Sequence, residues 1–96
     1  MLLYELTEDA DHDIESIFEY TLSNFGEQQA FSYLGEMENL FNQLCSEPKM
    51  GRERNEIRKG LRSISYVSHV IFYRTVKDRI RILRVMHSSR DIKRFL

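Results

Sequence analysis

At Pro48 the hydrophobic pattern changes period, and that change constrains the fold more than any other feature of the chain. Ahead of it, Ala10, Ile14, Ile17, Phe18, Leu22 and Phe25 fall at the three- and four-residue spacings that put one apolar stripe along an α-helix. Ala30, Tyr33, Leu34, Met37, Leu40, Phe41 and Leu44 repeat the pattern in a second helix. Thr7 suits the N-cap of the first, and Glu8 and Asp9 follow where the helix dipole favours carboxylates. Gly26 separates the two helices and Pro48 ends the second. Helices joined by so short a link fold back as an antiparallel hairpin. Before them, residues 2–6 (LLYEL) read as a short opening strand.

Beyond Pro48 the helical period is gone. Residues 49–55 form a polar, glycine-containing loop, and residues 57–66 mix branched and aromatic side chains with polar ones. Residues 67–74 (VSHVIFYR) and 79–86 (RIRILRVM) are strongly strand-forming, with Lys77-Asp78 as the turn between them. A polar tail, residues 88–96, ends on Phe95 and Leu96. The expected architecture is one α+β domain spanning residues 1–96. It comprises an N-terminal strand, an antiparallel helical hairpin and a three-stranded antiparallel meander, with the hairpin covering one face of the sheet.

Charge divides at nearly the same place. Residues 1–48 hold 11 acids and no Lys or Arg, whereas residues 49–96 hold 14 bases and four acids. The halves carry −11 and +10, which sum to the formal net charge of −1. Neither helix can therefore form an internal i,i+4 ion pair. Its apolar stripe must hold it to the sheet, helped by basic side chains from the second half. Partial neutralisation between the halves should leave a basic surface suited to an acidic partner.

Several function classes drop out. Cys45 is the only cysteine, so neither an internal disulfide nor a cysteine metal cluster is available, and its place in the second helix marks it as a core residue. His12, His69 and His87 are too widely spaced for a helical metal motif, and the four glycines are isolated, so no phosphate loop exists. Neither metal nor cofactor is expected. No apolar run reaches the roughly 18 residues of a membrane span, and the N-terminus lacks the features of a signal peptide, so the expected location is the cytoplasm.

Three stretches carry a family resemblance: residues 6–38 (LTEDADHDIESIFEYTLSNFGEQQAFSYLGEME), 60–74 (GLRSISYVSHVIFYR) and 80–96 (IRILRVMHSSRDIKRFL). In order and content they resemble the ParE-type toxins of the ParE/RelE superfamily. The resemblance implies the toxin half of a type II toxin–antitoxin pair, which poisons DNA gyrase, blocks replication and is silenced by a ParD-like ribbon-helix-helix antitoxin. It further implies that the antitoxin, not the toxin, carries the DNA-binding module. That fits a sequence with no helix-turn-helix or zinc finger and two acidic helices that repel phosphate. The alternative within the superfamily is a RelE-like, ribosome-dependent mRNA endoribonuclease.

An endoribonuclease needs proton-transfer groups and cations for a charged transition state. His69 and His87 could move protons, and Arg62, Arg74, Arg81, Arg84 and Arg90 could supply charge. RelE-type sites draw on several mid-chain lysines, yet between Lys49 and Lys77 the only lysine is Lys59. The reading is therefore a target-binding toxin without catalytic residues. Its contact candidates are Arg84, His87, Arg90, Asp91, Lys93, Arg94, Phe95 and Leu96, with His87 fixing the start of a helical turn.

Overall fold

The computed structural model describes residues 2–96, the side chain of Phe95 excepted. The chain runs β1 (Leu3–Leu6), α1 (Glu8–Phe25), α2 (Glu27–Ser46), β2 (Arg52–Glu53), β3 (Arg62–Tyr66), β4 (His69–Val76), β5 (Arg79–His87) and α3 (Ile92–Phe95). The strands form one sheet in the order β1-β5-β4-β3-β2. The expected meander is β3-β4-β5, and the sheet is wider than three strands. β1 joins β5 in parallel, Leu3 opposite Arg79 and Leu6 opposite Ile82, and β2 adds a two-residue edge beyond β3.

Thr7 caps α1 as expected and does more. Its hydroxyl accepts the Ala10 N–H at 3.0 Å and donates to the Leu83 carbonyl at 2.8 Å, tying the helix start to β5. Gly26 sits at φ +89°, a left-handed conformation that costs a glycine little, and the chain reverses there into α2. Ala10, Met37, Phe41, Leu44 and Cys45 then pack on Ile71, Tyr73, Ile80, Ile82 and Val85. Cys45 is buried, and that burial raises its thiol pKa.

A smaller core lies on the opposite sheet face. Leu61, Phe72 and Met86 are covered there by Ile57, Leu83, Ile92 and Leu96. A β-bulge makes the two cores compatible: Phe72 pairs with Arg84 but Tyr73 with Ile82, so Leu83 is the extra residue. Ile82 and Val85 therefore both enter the helix-side core, while Leu83 and Met86 enter the other.

Two strand boundaries differ from the sequence reading. Val67 and Ser68, read as the start of a strand, are the turn between β3 and β4, and Val67 has φ +52° and is 75% exposed. Facing strands need a reversal there, and that requirement overrides the β-propensity of valine. Most of residues 57–61 is turn, because the Asn55 side chain accepts the Gly60 N–H and Gly60 adopts φ +83°.

Candidate functional site

β1 stops at Leu6, so the second half of β5 presents an unpaired edge next to α1. Asp13 closes that edge. Its carboxylate accepts the Val85 N–H at 3.0 Å and two bonds from Arg84, Nε at 2.8 Å and Nη2 at 3.0 Å. The side chains are 20% and 16% exposed, and the hydrogen bond to Asp13 raises the Arg84 pKa. Arg84, expected to face a target, is thus spent largely on Asp13. Sequence gave no way to find its partner: Asp13 is one of six carboxylates on α1, and only the crossing of α1 over β5 distinguishes it.

Next to this pair lies a row of rings. Burial, followed by the charge of neighbouring His87, lowers the His69 pKa, and its Nδ1 is hydrogen-bonded with the Tyr33 hydroxyl at 2.6 Å. The His69 and His87 rings meet edge to face at 5.6 Å. Tyr66 packs its ring at a tilt against Tyr33 and donates to the Tyr33 carbonyl, and burial pushes the Tyr66 hydroxyl up to about 12. His87 ends β5, and its Nδ1 accepts the Ser89 N–H at 3.1 Å with the Ser89 hydroxyl at 2.7 Å. His87 is thus hydrogen-bonded to the start of the tail.

Asp13, Tyr33, His69, Arg84 and His87 floor a groove of about 660 Å³ between the helical hairpin and the β3–β4 turn. Tyr20, Phe25 and Val67 form an apolar rim, 64%, 66% and 75% exposed. Ser16, Thr21 and Gln29 complete the helical wall, so Asp13 is the only acid that either acidic helix contributes. Arg84, His87 and Arg90 all border this groove.

The remaining expected contacts lie elsewhere. Asp91 precedes α3, is exposed and makes no capping bond through its side chain. Lys93 and Arg94 are exposed on α3. Leu96 packs with Ile92 on the second core, and Arg58 donates to its carbonyl. The Phe95 side chain lies outside the described residues. Phe95 aside, the candidates therefore form two groups. The rim aromatics Tyr20 and Phe25, together with Tyr33 and His69, were absent from that set. Aromatics at helical spacing read as core, and only the termination of α1 at Gly26 leaves Phe25 uncovered.

The arrangement suits binding: an apolar rim, a floor of satisfied polar groups and a net positive lining. Among the described residues no cluster of three metal-ligating side chains occurs, and no helix is long and apolar enough to cross a membrane.

Residues 4–92 match the family described as ParE toxin of the type II toxin–antitoxin system parDE. The chain is 36% identical over 94 residues to Toxin ParE1 of Mycobacterium tuberculosis, covering 97% of this chain and 96% of that one. It is 33% identical over 93 residues to Toxin ParE1 of Caulobacter vibrioides, with the same coverage. Its fold superposes on a solved chromosomal ParDE system from P. aeruginosa with a TM-score of 0.77 at 19% identity, covering 91% of this chain and 96% of the other. A family match over nearly the whole length, with relatives above 30% identity, makes this chain a member of the ParE toxin family of type II toxin–antitoxin systems.

Proposed function

We propose that this toxin, acting as a single cytoplasmic domain of residues 1–96, poisons DNA gyrase and blocks replication until a ParD-like antitoxin silences it. One observation carries the choice of a binding mechanism over a nuclease: the polar groups on the floor of the groove are already hydrogen-bonded within the protein. Arg84 is matched by Asp13, the Tyr33 hydroxyl by His69 Nδ1, and His87 Nδ1 by Ser89. A phosphodiester cleavage site instead needs a base, an acid and cations whose bonding capacity is held ready for substrate. The Tyr66 hydroxyl, pushed up to about 12, is a poor acid at neutral pH.

The groove and the exposed aromatics of the hairpin tip, Tyr20, Phe25 and Phe31, fit the antitoxin. Aromatic side chains beside a net positive lining suit a partner segment that brings apolar anchors and carboxylates. A hetero-oligomer with the antitoxin follows, as does maintenance of a plasmid or locus that encodes both proteins.

The row Tyr33–His69–His87 next to Arg90 favours a second reading, ribosome-dependent cleavage of mRNA. Two assays on one preparation decide between them. Inhibited supercoiling, or trapped cleaved DNA, with intact ribosome-bound message supports gyrase poisoning. Cut message with unaffected gyrase overturns it.

A further inference from the structure

Strand alternation places Phe72 and Arg74 on the sheet face away from the helices, because Tyr73 between them is in the helix-side core. Pairing extends that face to Arg81, opposite Arg74, and to Arg79, opposite Val76. Lys77 stands at the β4–β5 turn with φ +55°, and α3 adds Lys93 and Arg94. Arg79 and Arg81 share one carboxylate, Glu5, at 3.5 and 2.7 Å. Arg74, Lys77, Lys93 and Arg94 are exposed, and no carboxylate of a described residue lies within ion-pair distance of them.

The acids lie on the other layer. Of the nine carboxylates in α1 and α2, eight are exposed and Asp13 alone is not. Even the shortest extent of the molecule, 21 Å, is about two Debye lengths at 0.1 M salt. Phosphate on the sheet's outer face is therefore screened from the acidic helices, whose repulsion had argued against contact with nucleic acid.

We propose that the outer sheet face, with Arg74, Lys77, Lys93 and Arg94 as its principal contacts, binds the phosphate backbone of duplex DNA without reading sequence. Two properties of the face favour DNA over an acidic protein. Its large apolar residues, Phe72, Leu83 and Met86, are already covered by the tail and by Arg54, whose guanidinium lies 5.8 Å above the Phe72 ring. Protein interfaces depend on exposed apolar anchors, and this face offers cations instead, whereas backbone contacts to DNA need cations alone. The longest extent of the molecule, 37 Å, limits the contact to about one turn of B-form duplex, roughly 34 Å. Such a face would let the toxin hold DNA at its enzyme target, although the binding itself requires no gyrase.

The test is fluorescence anisotropy of a labelled duplex of arbitrary sequence, about 30 bp long, titrated with the full chain between roughly 50 and 200 mM salt. Binding should weaken with salt at a log–log slope of about −0.9 for each phosphate engaged. Arg74→Glu with Lys77→Glu should weaken binding at least ~10-fold at low salt and reduce the magnitude of the slope by roughly 2. Glu36→Gln with Glu38→Gln, on the helical layer, should leave affinity within about twofold, and thermal melts should show both variants folded. The proposal is overturned by absent or salt-independent binding at low salt, or by charge reversal without effect. It is equally overturned if a poly-glutamate peptide competes as well as duplex DNA, or if only duplex RNA binds. Because no gyrase is present, failure of this assay and failure of gyrase poisoning are separate results.

Discussion

The helical hairpin and the outer face of the sheet differ in how they carry charge. On the hairpin, carboxylates surround an apolar stripe with no Lys or Arg among them, and exposed aromatics collect at its tip. On the sheet's outer face, cations surround apolar residues that the tail has covered. Apart from β1, which joins the sheet and lends Glu5 to Arg79 and Arg81, the two halves of the sequence become two layers, and their opposite charges mostly face away from each other. Direct bonds between them are few, the main one being Arg84 with Asp13. Attachment of the layers thus depends on the buried stripe and on a small number of polar contacts, while the outward charges remain available to partners.

The largest effect should come from cutting the ion pair that joins the layers. Asp13→Ala leaves Arg84 partly buried without its carboxylate and the Val85 N–H without its acceptor. Removing one partner of such a pair costs about 3 kcal/mol. In a domain of this size the melting temperature should fall by more than about 10 °C. Asp13→Leu with Arg84→Met should recover much of the loss, because the uncompensated charge goes with its partner. Equal melting of wild type and Asp13→Ala would show that the stripe alone attaches the hairpin.

A smaller effect is expected inside the sheet half. The buried Tyr73 hydroxyl accepts the Gly51 N–H and donates to the Pro48 carbonyl, both at 2.8 Å, fixing the segment that leads from α2 into β2. Tyr73→Phe should destabilise by about 2 kcal/mol in a urea titration, since a buried N–H loses its acceptor. Gly51→Ala reaches the same contact from the other side. A Cβ there would come within 2.7 Å of Tyr73 Cε1 and 2.9 Å of the Ser63 carbonyl oxygen, and the backbone cannot yield easily. If neither change lowers the urea midpoint, this link is not what seats β2.

Those two contacts also show what the sequence could reveal. Thr7, Gly26 and Pro48 act locally, and each bounds a helix where its chemistry said it would. The period change located the helices and the meander for the same reason: burial of a stripe or a face repeats along the chain. Parallel pairing of β1 with β5, the Leu83 bulge, and the bonds of Asp13 and Tyr73 all join segments distant in sequence. No local pattern encodes them. The candidate site followed the same division. The bond between His87 and Ser89 joins residues two apart in the chain, whereas the capture of Arg84 by Asp13 spans 71 residues and has no local signature.

The groove between the layers should register pH through His69. Burial and His87 lower its pKa, so the unfolded chain takes up a proton that the folded one resists. The groups facing it are Tyr33 from α2, His87 from β5 and, from α1, Asp13, whose negative charge opposes the shift without reversing it. Its contribution to stability is therefore complete above the ordinary histidine pKa, about 6.5, and is lost as pH falls below that value. Thermal melts at about pH 7.5 and pH 5.5 should show lower stability in acid. His69→Gln should reduce that difference, and an undiminished difference would assign the pH dependence to other groups.

The smallest effect on stability, and the sharpest separation of fold from function, is expected on α3. Ile92 and Leu96 seat the tail on Phe72, Leu83 and Met86, so deleting residues 88–96 would uncover that core and confuse loss of contact with loss of fold. Lys93 and Arg94 are exposed and lie beside those two anchors without sharing their burial. Lys93→Glu with Arg94→Glu should therefore leave stability within about 0.5 kcal/mol, the usual range for surface changes. Two added carboxylates at the end of a four-residue helix have little further effect, because so short a helix has little dipole for them to oppose. The same variant should lose growth arrest in cells while still binding antitoxin, because the groove proposed for the antitoxin lies on the other side of the sheet. Arg90→Glu, at the groove, should show the converse: weakened antitoxin binding with growth arrest retained. A folded Lys93→Glu/Arg94→Glu protein of undiminished toxicity would remove the tail from the target surface and leave the groove as the one face with a partner.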